Sequence, residues 1–116
     1  MSLRVRRVYE PVSDDDGVRV LVDRLWPRGL SKERARVDLW LKEIAPSHEL
    51  RRWFGHDPGK WKEFQRRYAA ELAFVPDTVA QVRTLASRGP VTLLFASQEL
   101  VFNNAQALHA VLSTRS

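Results

Sequence analysis

Two short apolar runs constrain this chain more than any other feature. Val18-Arg19-Val20-Leu21-Val22-Asp23 and Val91-Thr92-Leu93-Leu94-Phe95-Ala96 are nearly continuous in β-branched and large apolar residues. Continuity, rather than strict alternation with polar residues, marks a strand covered on both faces. The long stretch between them carries helix signals, so a strand–helix–strand crossover and a parallel pair are expected.

The remaining elements follow from local chemistry. Residues 3–9 read as another strand, with Leu3 and Val5 on one face. The polar turn Pro11-Val12-Ser13-Asp14-Asp15-Asp16-Gly17 separates it from the first apolar run. That connection is short for a crossover, so spacing favours an antiparallel pair there. Ser31 and Ser47 suit helix N-caps, and Asp57-Pro58 and Pro76-Asp77 suit helix starts. Trp61, Phe64, Tyr68 and Leu72 form one apolar helical stripe, and Val79, Val82 and Leu85 another. Asp38-Leu39-Trp40-Leu41 fits strand or helix. Ser97 is placed to cap a last helix carrying Val101, Ala105, Leu108 and Leu112. The expected fold is one small α/β domain over residues 1–116, with a mainly parallel sheet of three to four strands flanked by about five helices.

Composition excludes several classes. A chain of 116 residues buries enough surface to fold without staples but has no room for a two-domain cofactor enzyme. It has no cysteine, which removes disulfides, thiolate nucleophiles and Cys-based metal sites. A cytoplasmic protein without a signal peptide is the expectation, since the charged N-terminus leads into no apolar core and no run approaches a membrane span. No histidine pair has metal-ligand spacing, and there is no glycine-rich phosphate loop, so neither metal nor cofactor is expected. Basic residues number 19 against 14 acidic, a net charge of +5, and 15 of the 19 are arginine. The excess is spread along the chain, so no basic tail marks a nucleic-acid binder. Arginine suits bidentate recognition of phosphate or carboxylate; a GC-rich genome produces the same bias.

In open α/β sheets ligands bind beyond the carboxyl ends of strands. Tyr9 follows the first strand, and Asp23-Arg24-Leu25-Trp26-Pro27-Arg28-Gly29 follows the second. Ser97 and Glu99 follow the third, with Asn103 and Asn104 just beyond. Arg24 and Arg28 are read as an anion grip, with Asp23 orienting Arg24 or accepting a proton. The competing reading is an internal Asp–Arg pair that only holds the loop. Asp23 and Glu99 are the candidate catalytic carboxylates; Glu99 also fits ordinary dipole chemistry in a first helical turn. Ser97 serves as ligand or plain cap. Asn103 and Asn104, poor helix formers, either hydrogen-bond to something specific or mark the true start of the helix. Trp26 is placed to cover a pocket or stack on a base, and His56 to reach the pocket or close its loop. His48 and His109 read as surface groups. Arg51-Arg52 and Arg66-Arg67 read as solvated helix faces or a nucleic-acid face.

The run from Asp16-Gly17-Val18 through Asp23-Arg24-Leu25-Trp26-Pro27-Arg28-Gly29 resembles the signature of the YeaO-like proteins, the short branch of a bacterial family of unknown function, DUF family 488. Asp38-Leu39-Trp40-Leu41-Lys42, Trp53-Phe54, His56-Asp57-Pro58, Lys60-Trp61, Gly89-Pro90-Val91-Thr92-Leu93-Leu94 and Asn103-Asn104-Ala105 continue it in order. The resemblance implies a small cytoplasmic α/β protein. It also implies that the first two strands run parallel, because a helix replaces the 11–17 loop in the longer branch. That branch resembles an enzyme with cysteines after its last strand; this chain has none, so a thiol mechanism does not carry over. Phe102 stands where related sequences often have His.

Three functions are open at this level. The chain binds or processes a small anionic, for example phosphorylated, ligand at the strand ends. Or it is a structural or interaction protein whose Asp–Arg motif only holds the fold. Or it is a nucleic-acid-binding module.

Overall fold

Both apolar runs form strands, and two further strands flank them. The computed structural model describes residues 2–114. Its strands are β1 (Leu3–Arg7), β2 (Val18–Leu21), β3 (Leu39–Trp40) and β4 (Val91–Phe95). They make one sheet in the order β1-β4-β2-β3, with every pair parallel. The helices are α1 (Lys32–Ala35), α2 (His48–Phe54), α3 (Trp61–Leu72), α4 (Pro76–Arg88) and α5 (Asn104–Ser113). This is the small parallel α/β architecture expected from the sequence.

Strand direction differs from the spacing argument. An antiparallel β1–β2 pair was expected because their connection is short, but the two strands do not touch. β4 lies between them and is parallel to both, with Leu3 and Val18 both opposite Val91. Residues 8–17 therefore run back from the end of β1 to the start of β2 across β4, and their one regular element is the 3-10 turn at Asp14–Asp16.

Alternate residues of the central strands serve two cores. Val20, Val22, Leu93 and Phe95 face a large cluster with Leu50 and Phe54 of α2, Phe64 and Tyr68 of α3, Val82 of α4 and Leu108 of α5. Leu21 and Leu94 face a thin second cluster with Val8 and Ala35, closed by Trp26, Leu30, Val37 and Trp40. Burial on both faces is why β2 and β4 read as continuous apolar runs.

Helix starts follow the capping chemistry. The Ser31 and Ser47 side chains accept from the amides of Arg34 and Leu50, and Pro76 opens α4. Asp57 opens a 3-10 turn, Pro58–Lys60, that feeds α3. The last helix is the exception: Ser97 does not cap it. Residues 98–103 form a loop, and Asn103 is the cap of α5, its side-chain Oδ1 accepting from the Gln106 amide at 2.9 Å.

A buried charged knot closes the β1–β2 linker. Asp16 (1% exposed) accepts from the Arg19 guanidinium, from Arg6 at 3.1 Å and from the Ser13 amide at 3.0 Å. Arg19 (3% exposed) also donates to the carbonyls of Ala35 and Arg36. Burial pushes the Asp16 carboxyl up, but the Ser13 amide and the two guanidinium groups outweigh it and hold it below the ordinary range.

Candidate functional site

A parallel sheet sends all its strand ends to one edge, and there the chain opens a cleft of about 520 Å³. This size suits a small-molecule site. Buried Phe54 and Phe64 line it along with half-buried Asp23, while Arg24, Arg28, Arg51 and Arg52 are exposed around it. Burial thus places the apolar groups and one carboxylate deep, and the guanidinium groups at the mouth.

Asp23 lies two residues beyond the end of β2. One carboxylate oxygen accepts from the Ala96 amide at 2.8 Å, beyond the end of β4, and the other from the Asn104 side-chain amide at 3.1 Å. Asn104, the first residue of α5, also donates to the Val22 carbonyl at 3.1 Å. Asp23 so ties two strand ends to a helix start. Burial pushes its carboxyl up; the Asn104 and Ala96 bonds and the nearby charges of Arg51 and His56 oppose this without cancelling it.

Arg24 turns away from Asp23. It donates to the Ala45 carbonyl at 3.2 Å and the Pro46 carbonyl at 3.5 Å, which fixes it as a wall of the cleft. The expected Asp23–Arg24 pairing is therefore absent, because both oxygens of Asp23 are engaged from the β4 and α5 side. The Asp–Arg pair that holds the fold is Asp16–Arg19 instead.

Pro27 and Gly29, with φ of +76°, turn the loop after β2 so that Arg28 lines the cleft. Tyr9 donates its hydroxyl to the Arg28 carbonyl at 2.7 Å and lies under the Arg7 guanidinium. Trp26 lines the cleft half-buried, its indole N–H donating to the Leu30 carbonyl at 2.6 Å and its ring meeting Trp40 edge-on. His56, in the left-handed region at φ 55°, shares a hydrogen bond of 2.8 Å between Nδ1 and the Phe102 carbonyl. A carbonyl only accepts, so Nδ1 carries the hydrogen and Nε2 is the acceptor of the neutral ring.

Ser97 lines the cleft, its hydroxyl donating to the Glu99 carbonyl at 3.3 Å. Glu99 and Asn103 are not among the lining residues. The Glu99 carboxylate accepts from the Val101 and Phe102 amides, which hold it below the ordinary range and shape the 98–103 loop. Asn103 is fully buried and donates to the Glu99 carbonyl at 2.7 Å. The structure thus brings Tyr9, Asp23, Arg24, Trp26, Arg28, His56, Ser97 and Asn104 together, and leaves Glu99 and Asn103 behind the loop.

Three basic cleft residues were read otherwise from the sequence, His48 as a surface group and Arg51 and Arg52 as a solvated or nucleic-acid face. His48, Arg51 and Arg52 of α2 line the same space. Their offsets of 0, 3 and 4 put them on one helical face, and Leu50 and Phe54 turn the adjacent face into the core. That basic face was legible at the sequence level as a helical neighbourhood, though its destination was not.

A family profile described as the inactive DUF488-N3 subclade matches residues 2–116. An uncharacterised protein of Mycobacterium bovis, Mb3100c, is 43% identical over 113 residues, covering 97% of this chain and 95% of its own length. The Escherichia coli protein YeaO, likewise uncharacterised, is 40% identical over 108 residues, covering 93% and 94%. No solved structure matches the chain significantly.

Proposed function

This chain belongs to the DUF488 family, in its YeaO-like N3 branch, and from that premise we propose that it binds a small anion, a phosphate ester or a carboxylate, in the cleft at the strand ends without turning it over. One observation carries the reading. Arg28, Arg51 and Arg52 converge on the cleft, and none of the ion pairs or side-chain hydrogen bonds among the described residues engages their guanidinium groups. Guanidinium groups gathered without an ion-pair partner are matched to an oxyanion's geometry as well as to its charge.

Binding without turnover suits the same residues. The chain has no cysteine. The Ser97 hydroxyl is spent on a backbone carbonyl, and the Asp23 oxygens each hold a structural donor. The word inactive in the family's description agrees with this. A nucleic-acid surface is less well supported, because Arg66 and Arg67 are both held by Glu63 and Arg67 is stacked on Trp53.

Calorimetric titration of the purified protein with inorganic phosphate tests the proposal. Millimolar or tighter binding is expected, with Arg51→Ala and Arg52→Ala each weakening it about tenfold, the value of one charged hydrogen bond. Thermal melting should remain that of the parent, since both side chains are exposed. No heat with inorganic phosphate, or unchanged affinity in both variants, overturns it.

A further inference from the structure

We infer that the ligand of this cleft is amphoteric: its anionic group meets Arg28, Arg51 and Arg52 at the mouth, and an ammonium or N–H group meets the Asp23 carboxylate on the floor. This rests on the reading of the cleft as an anion site and goes beyond it by naming the second half of the ligand.

Asp23 is the one acidic residue among those lining the cleft, and it is set deeper than every arginine there. A carboxylate in that position repels a simple anion, so a site for bare phosphate has no use for it. Nor does the charge serve the fold. Asp23 holds the Ala96 amide and the Asn104 side chain, a task that needs acceptors but no net charge. None of the cleft arginines pairs with it: the ion pairs among the described residues do not include Asp23, and Arg24 is committed to the carbonyls of Ala45 and Pro46.

Its acceptor capacity is also half used. A carboxylate has about four lone-pair sites, and Asp23 receives one donor on each oxygen. Burial already disfavours its charge, which a donor arriving from the cleft would relieve. The buried rings of Phe54 and Phe64 line the same cleft, a surface suited to a short alkyl link. The chemical class is thus an aminoalkyl phosphate or an amino acid bearing a second anionic group.

Two probes of equal length separate the halves: ethanolamine phosphate and propyl phosphate, which differ by an ammonium in place of a methyl group. Inorganic phosphate is the third probe. On the unaltered protein, ethanolamine phosphate should bind at least about tenfold more tightly than propyl phosphate, as expected for a charge-assisted hydrogen bond in a partly desolvated site. Asp23→Asn should abolish that preference and tighten binding of inorganic phosphate. Equal binding of the two esters by the unaltered protein overturns the inference and leaves the anion site standing, whether or not the variant folds. A preference that survives in Asp23→Asn overturns it too. Failure of all three probes removes the anion site and this inference together.

Discussion

Replacing Asp16 with alanine should strongly destabilise the fold. Asp16 and Arg19 are 1% and 3% exposed, so the substitution leaves a guanidinium charge buried without its counter-ion. Breaking such a pair costs about 3–5 kcal/mol. Arg19 keeps the carbonyls of Ala35 at 2.9 Å and Arg36 at 3.0 Å, which places the loss near the lower end, about 3–4 kcal/mol. Loss of the Ser13 capping box acts in the same direction. Against a total stability of about 5–15 kcal/mol, this is a large fraction. Urea unfolding followed by tryptophan fluorescence reads it directly, and the thermal midpoint should fall by roughly 10–20 °C. Asp16→Asn, which keeps an acceptor oxygen, should lie between the two. The sign with pH is fixed by a folded value below the ordinary 3.8. The stabilisation is present above 3.8 and is lost as pH falls through the lower folded value, so the acid limb of the stability profile should flatten in Asp16→Ala. An Asp16→Ala protein within about 1 kcal/mol of the parent, or one less destabilised than Asp23→Ala, would refute the assignment of the structural pair.

Gly17→Ala should also be costly: at φ +65° an added Cβ would sit 2.0 Å from the Pro90 carbonyl oxygen, which accepts from Val18 and joins β2 to β4. Backbone strain and overpacking together predict a loss of about 3–5 kcal/mol, readable in the same urea titration. Tyr68→Phe removes a buried hydroxyl that donates to the Ile44 carbonyl at 2.6 Å and should cost about 1–2 kcal/mol in thermal unfolding. Asp23 titrates in the sense opposite to Asp16. Its folded value lies above 3.8, so its contribution to stability rises as pH falls from that folded value toward 3.8, and Asp23→Asn should remove this rise from a pH series of unfolding free energies.

What could be read from the chain was whatever depends on near neighbours. The caps at Ser31 and Ser47, the proline start of α4 and the apolar stripe of α3 are decided within four residues, and all four appear as expected. The strand order is decided by partners far apart in sequence, and the spacing rule erred because it assumed that β1 and β2 were neighbours. The 97–103 segment erred for a local reason. Ser97 with Glu99 imitates a helix start, but the Glu99 carboxylate bonds to the Val101 and Phe102 amides in a loop, and the better cap, Asn103, lies six residues on. At the site, the residues after each strand were legible because parallel strand ends converge. Arg51 and Arg52 were not, because nothing local says which way a helix's basic face is turned once the helix packs.

The place of β4 at the centre of the sheet has a kinetic consequence. β1 pairs only with residues 91–95 and β2 otherwise pairs only with the two-residue β3, so the middle of the sheet forms only when the chain has closed loops of some seventy to ninety residues. Such loops are entropically slow to close, and the folding rate should follow that topology rather than the speed of the individual helices. The cleft shares the delay. Asp23 reaches its position only when Ala96 and Asn104 arrive, so ligand-binding competence should appear in the last folding phase and not before. A chain cut anywhere before Val91 loses the middle of its sheet rather than an edge, which leaves β1 without a partner and an edge of the apolar β2 open to other molecules.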